Sequence, residues 1–392
     1  ISGKRDEWNG PYNFEIVIDT SINIDLFRCH VLKNDTIKNA KGLLTIGKSK
    51  IIIDRKGIPV WYLPLLNKSI TINKRGIHDL RISDAGTILF ISNNAGPVSA
   101  PSTSVYECNL NGDILWTAPN DGKVSGDTTE YYSHDIRRMS NNNYMVLGAK
   151  YSWRNIPNDS FLTKFRRENL DTTGPVPRVK ILFNTIIEYG KNREVAWFWN
   201  SGDYLSDKDL FAIGSSTNNP RRDLPASAEI FGHMNAFDAD SKGEFVYAGF
   251  RDISRLIKIK KITKKVVASW GVKMPSGEAM NGNNFFKNQH DVNRMPNGNL
   301  ILFNNNNMWD NVSSSKVLEI SQPEDSKPSE IKWTFDCKFD NLTNGKSIKF
   351  GGIDYLGNNN VLICMGILNR ITEVTKDKKE VVVDILKIDS PT

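Results

Sequence analysis

Histidine is scarce in this chain of 392 residues, which holds only five. Cysteine is scarcer still: Cys29, Cys108, Cys337 and Cys364 lie far apart, so there is no C-x-x-C pair to suggest zinc or redox chemistry. Their even number permits two disulfides without requiring them. No apolar run approaches the roughly 18 residues of a membrane-spanning helix, so no membrane span is expected. The chain opens at Ile1 with neither Met nor an apolar leader, and so carries no information about localisation. Long blocks of one charge are also missing. Lys plus Arg number 51 against 44 Asp plus Glu, a net charge of +7 that leans toward anionic ligands. The basic residues gather in short runs such as Lys258-Ile259-Lys260-Lys261, which read as solvated hairpin tips, and no nucleic-acid partner is expected. Five N-x-S/T triplets, at Asn34, Asn67, Asn158, Asn311 and Asn341, match what chance gives in so Asn-rich a chain.

What is present is a repeat. A polar turn between apolar runs, closed by a Trp, recurs along the chain at intervals of about 55 to 60 residues, with a longer step between the third and fourth copies. The units close on Trp61, Trp116, Trp197 with Trp199, Trp270 and Trp333, and a sixth, beginning near Gly352, lacks the Trp. Each copy holds about four short strands rich in Ile, Val, Leu, Phe and Tyr, with Gly, Asn and Asp at the turns. Six such units predict an all-β fold, a six-bladed β-propeller, with each sheet covered on both faces by its neighbours. Residues 41–392 form the ring in this reading. Residues 1–40 are a short N-terminal extension, expected as a strand pair beside it, and residues 200–232 are a long irregular insertion of the kind that serves as a lid or binding loop. The blade-end Trp rings are read as fillers of the gaps between adjacent sheets.

Four of the five histidines, His78, His134, His233 and His290, begin the first strand of four successive repeats. First strands line the central channel of a propeller, so four imidazoles are expected to converge at one end of the axis. Counting back across each hairpin places Arg251 opposite His233, Asn305 opposite His290, Lys150 opposite His134 and Asn93 opposite His78. Asn235 adds another polar group. Asp79, Asp135 and Asp291 follow three of the histidines and should point the other way, to cap a turn or hold a neighbouring strand. A repeated His-Asp also has a plainer use, as a device that staples blades, and that reading suits His78 best. Convergent neutral imidazoles suit zinc or copper, but Arg251 and Lys150 beside them argue against a cation. No metal and no cofactor is called for.

At these residues the chain resembles the arylsulfate sulfotransferase family, propellers that move a sulfuryl group from one phenol to another without a nucleotide donor, that is, independently of PAPS. The resemblance is carried by SHDIRRM around His134, GHMNAFDAD with His233 and Asn235, the Arg251 that follows, NQHDVNRMPNGNLILFNNN with His290, and the opening IIIDRKGIPVWYL, over roughly residues 40–385. It implies a ping-pong reaction in which His290 attacks sulfur and carries the sulfuryl group as a sulfohistidine. Arg251 and His233 would neutralise the sulfonate oxygens, and His134 would act as acid or base on the phenol oxygen. The implied partners are an aryl sulfate donor and a phenolic acceptor, and the implied site is exported, in the periplasm or secreted.

The sizeable N-terminal β-sandwich of bacterial members has no counterpart in the short stretch before the first blade, which leaves the oligomeric state open. A hydroxyl residue expected from the last blade has only Tyr355 as a candidate. Tyr131, Tyr132 and Phe286 are aromatic candidates for stacking on the phenol ring. Two other readings use the same site: an aryl sulfatase, in which water discharges the histidine intermediate, and a non-catalytic ligand-binding propeller.

Overall fold

The computed structural model describes residues 27–47, 49–64, 77–92, 104–165, 167–213, 232–282, 284–306, 314–323, 327–339 and 345–387. Alternation of apolar side chains over both faces decides how its strands pack. In the run Ile88–Ser92, Ile88 and Phe90 join a buried cluster with one neighbouring sheet, while Leu89 and Ile91 join a cluster with the other. In Leu300–Asn304 the same split sends Leu300 and Leu302 one way and Ile301 and Phe303 the other. Strands buried on both faces must be sandwiched, and a ring of sheets achieves this without leaving an outer face bare.

Six sheets make that ring. After β1 (Cys29–Asn34), blade one holds β2 (Leu44–Ile46), β3 (Ile51–Ile53) and β4 (Pro59–Tyr62), and blade two holds β5 (Ile77–Ile82), β6 (Ile88–Ser92), β7 (Ser104–Cys108) and β8 (Ile114–Thr117). Blade three has β9 (Tyr132–Arg138), β10 (Tyr144–Asn155), β11 (Leu170–Asp171), β12 (Arg178–Tyr189) and β13 (Val195–Asn200), followed by the short helix α1 (Asp207–Ile213). Blade four has β14 (Met234–Ala239), β15 (Phe245–Phe250), β16 (Arg255–Lys260) and β17 (Lys265–Gly271), and blade five β18 (His290–Arg294), β19 (Leu300–Asn304), β20 (Lys316–Ile320) and β21 (Ile331–Asp336). Blade six has β22 (Gly352–Tyr355), β23 (Asn360–Met365), β24 (Arg370–Thr375) and β25 (Val381–Lys387). The fold is the expected six-bladed β-propeller. Each of six apolar clusters bridges two consecutive blades, and the last, with Leu44, Ile51 and Ile53 against Val383 and Ile385, closes the ring. A fully buried Ile or Phe in such a cluster stabilises by about 1.5–3 kcal/mol.

Two details add to the sequence reading. Among the described residues the N-terminal stretch supplies β1, which is the fifth strand of blade six, paired antiparallel with β25. The FEIVID run lies outside the described residues. The long step after the third repeat is shared between two places: β10 and β12 run on past the blade as a twelve-residue ladder that carries β11 and two turns of 3-10 helix, and the chain after β13 forms α1. The rest of the insertion, 214–231, lies outside the described residues. No disulfide joins any of the four cysteines.

Blade-end tryptophans reach across the gaps after the first five blades, as their position in the repeat suggests. Indole Nε1 of Trp61, Trp197 and Trp333 donates to the carbonyls of Leu110, Lys261 and Lys376 in the next blade, and Trp116 stacks on Tyr144 with ring centres 3.8 Å apart. Opposite three of these tryptophans on the neighbouring strand sits a buried glutamate: Glu107 by Trp116, Glu188 by Trp197, Glu319 by Trp333. Each accepts from a cation of the following blade, Arg138, Lys261 and Lys376, and Glu373 of blade six takes Arg55 of blade one.

Candidate functional site

The four histidine-bearing inner strands share a local irregularity. Their pairing with the second strand slips, by one residue at His78/Leu80, Met234/Ala236 and His290/Val292 and by two opposite Val146/Gly148, whereas β2–β3 and β22–β23 pair without a slip. Left-handed backbone marks the spot: φ is +62° at His134, +51° at His233, +40° at Asp79 and +49° at Asp291. Such a bulge re-aims side chains, which a regular pleat would send alternately to the two faces. The aspartates take the outward role. Asp79 accepts from the backbone N–H of Ile136, Asp135 from that of Phe237 and Asp291 from that of Ile353, each one blade on. Arg81 and Arg137 lie among them, Arg81 on Asp79 and Asp135, Arg137 on Asp238. Asp291 is pushed up to about 7, mainly by burial.

The imidazoles of His134, His233 and His290 take the other side of the bulge. His290 is 9% exposed, and its Nδ1 lies 2.6 Å from Asn305 Oδ1. The amide nitrogen of Asn305 donates to the carbonyls of Ser347 (2.7 Å) and Phe350 (2.9 Å), which fixes which end of the amide faces the ring. Oδ1 must therefore accept, Nδ1 of His290 must carry the proton, and Nε2 is left with its lone pair. Burial, and then the positive fields of Arg251 and His233, lower the His290 pKa to about 4 against the opposing effect of the Asn305 bond. The ring is neutral at neutral pH.

The backbone N–H of Arg251 donates to the carbonyl of His233, 3.0 Å away, so the two side chains leave adjacent points of the β14–β15 hairpin. Asp252 stands between them, 2.7 Å from the Arg251 guanidinium and 3.7 Å from His233 Nδ1. On its other side, His233 Nε2 is 3.1 Å from His134 Nε2, with the rings nearly edge to face. One proton must lie between those nitrogens, so the pair can pass a proton without rearranging. The run-up to His290 is anchored to blade four: Asn288 Nδ2 donates to the Arg251 carbonyl, and Gln289 Nε2 donates to those of Phe250 and Arg255. Sequence reasoning missed Asp252, Asn288 and Gln289, although all three adjoin residues it singled out.

His290, His233, Arg251 and His134 thus lie together, and Asn305 is at His290. Asn305 is wholly buried behind the ring and positions it, so it is not placed to line a substrate cavity. Asn235 also differs from expectation. It is buried, and its amide donates to the Gln289 carbonyl, tying blade four to blade five. Lys150 does not face His134. Gly148 pairs with Tyr132 across the slipped register, and the Lys150 ammonium lies over the ring of Phe198 on β13, the strand beyond β12 and away from the axis. Tyr355 is at the turn end of β22, the far end from the histidines, with its hydroxyl on Asn359. His78 is the second residue of β5, and its expected neighbour Asn93 lies outside the described residues. Of the aromatic candidates, Tyr132 and Phe286 are buried, and Tyr131 donates its hydroxyl to Asp127.

Among the described residues no three His, Cys, Asp or Glu side chains come together in a way that could hold a metal ion, and no helix is long and apolar enough to cross a membrane. The arrangement offers a neutral nucleophilic nitrogen, a permanent cation and a proton-sharing pair, a set suited to an anionic electrophile.

Comparison with curated proteins finds no match. A solved structure of a Bacteroides caccae protein of unknown function is similar at 13% identity, with 88% of this chain and 93% of that one covered and a TM-score of 0.50, which speaks to the fold alone. A periplasmic gluconolactonase of Pseudomonas aeruginosa is similar at 8% identity, with 93% and 84% covered and a TM-score of 0.47. The family model for arylsulfotransferase (ASST) matches residues 44–390, nearly the whole chain and every blade of the ring, and supports aryl sulfotransferase activity. With its histidine-lined propeller mouth, this chain belongs to the arylsulfotransferase family.

Proposed function

We propose that this protein moves a sulfuryl group from an aryl sulfate to a phenol in two half-reactions through a sulfohistidine at His290, without a nucleotide donor. The observation that carries the reading is the fixed tautomer: Asn305 holds the proton on Nδ1, so the Nε2 lone pair is available. In the first half-reaction Nε2 attacks sulfur, an N–S bond forms, the S–O bond to the ring breaks, and the electron pair leaves on the phenolate oxygen. That oxygen takes a proton from the His134–His233 pair. In the second, an incoming phenol returns a proton to the pair, its oxygen attacks sulfur, and the N–S bond breaks with its electrons going back to Nε2.

Arg251 and His233 face the sulfonate oxygens in this scheme. Preorganised cations aimed at spreading negative charge supply the larger part of such a barrier reduction, and a phenol of pKa about 10 needs only modest proton help. Asp252 keeps both groups from drifting. His290→Ala is expected to abolish turnover of a chromogenic aryl sulfate while the protein still melts cooperatively. Incubation of the wild type with donor alone should add one sulfuryl group to the peptide containing His290. Wild-type turnover in the variant, or a sulfuryl group on another residue, would overturn the scheme.

A further inference from the structure

Phe350 stands at the same mouth, and no sequence motif marks it. It lies two residues ahead of β22, whose first residue pairs with Cys364 near the end of β23, and the turn Gly366–Leu368 follows β23. Phe350 and that turn therefore share the end of blade six where the histidines converge. The Phe350 carbonyl accepts from Asn305 at 2.9 Å, and the other end of that amide holds His290 at 2.6 Å. One side-chain amide separates the Phe350 backbone from the nucleophile.

Its conformation is costly. Phe350 has φ +56°, a left-handed backbone that a bulky side chain rarely adopts, and it is 60% exposed, so burial offsets little of the strain. Gly366 makes room for it, since a Cβ there would come within 2.5 Å of the Phe350 Cβ. Ile367, also exposed, extends the apolar lip. Stability alone would favour Gly or Asn at this position. An exposed aromatic ring at the end of blade six where the histidines converge can pack against the ring of an aryl substrate.

We propose that Phe350 recognises the aromatic ring of the substrate, packing against it while the sulfuryl group lies at His290, and so selects aryl over alkyl sulfates. The proposal rests on the sulfuryl-transfer reading for its substrate class. It is tested with benzenesulfonate and methanesulfonate, which present the same anion with and without the ring and need no turnover. Calorimetric titration of the wild type should favour benzenesulfonate, and Phe350→Leu and Phe350→Gly should each weaken that ligand roughly 3- to 10-fold, the size of one aromatic contact, with methanesulfonate unchanged. Phe350→Tyr should restore the preference. Phe350→Gly should melt at or above the wild-type temperature, because it relieves the left-handed strain. No ring preference in the wild type, an unchanged preference in both variants, or equal weakening of both ligands overturns the proposal. Turnover of 4-nitrophenyl sulfate is followed in parallel. If the wild type turns it over but the variants keep the ring preference, Phe350 is misassigned and sulfuryl transfer stands. If the wild type turns over nothing while the preference depends on Phe350, the transfer reading fails and ring recognition stands.

Discussion

Replacing Asn305 by Asp keeps an acceptor on His290 Nδ1 but adds a negative charge behind the ring. At about 4 Å between charge centres and an effective dielectric of about 20, a carboxylate favours the imidazolium by about 4 kcal/mol, or about three pKa units. Loss of the two amide donations to Ser347 and Phe350, and burial of the new charge, take back part of that. The His290 pKa should therefore move from about 4 up toward about 6 to 7. The assay is the pH profile of kcat/KM for a chromogenic aryl sulfate at saturating phenol, since this quantity reports the free enzyme. Below its new pKa the variant should lose about tenfold per pH unit, and recover toward its own plateau above about pH 8. A folded variant whose acid limb stays at the wild-type position refutes the reasoning. A uniform loss at every pH refutes it too, because the amide would then orient the ring without setting its charge.

Glu319→Leu should lower thermal stability by about 3–5 kcal/mol, seen in denaturant melts, because Lys376 is left without its partner in a mostly buried site and Asn297 and Asn299 lose their acceptor. Asp291→Asn probes the axial network. With its folded pKa raised to about 7, Asp291 contributes stability that is complete below the ordinary carboxylate pKa and is lost as pH rises through about 7. The melting temperature of the variant relative to wild type should therefore rise between about pH 5 and pH 8, and a flat or falling difference would contradict the assignment.

The ring was legible because each repeat carries its own turn residues and apolar runs, and a four-stranded unit of that kind has few ways to bury two faces. The histidine cluster was legible for a related reason: one residue type at one point of the repeat converges on the axis. Hairpin counting found Arg251 and Asn305, since short turns fix register. It failed at Lys150, where the slip opposite Val146/Gly148 shifts the pairing and β10 runs on beyond the blade. Asn235 shows a different limit. Its polarity was readable, but whether its amide would face substrate or bind the Gln289 carbonyl depends on packing between blades. The staple glutamates stood in the repeats at a constant register to the tryptophans and could have been found by the same alignment. Phe350 could not, since a left-handed Phe leaves none of the Gly or Asn marks by which such backbone is usually spotted.

The pairing of β1 with β25 has a consequence for how the molecule is made. Cys29 meets Lys387, so blade six gains its outer strand only after the five other blades have been synthesised. Joining points about 350 residues apart in an otherwise loose chain costs about 5 kcal/mol of entropy, but far less once the other blades have already curved the ends together. Assembly is thereby biased toward an order, with the clasp fastened last. Until then β25, with its run of Val381, Val382 and Val383, is an open hydrogen-bonding edge on which wrong partners can pair.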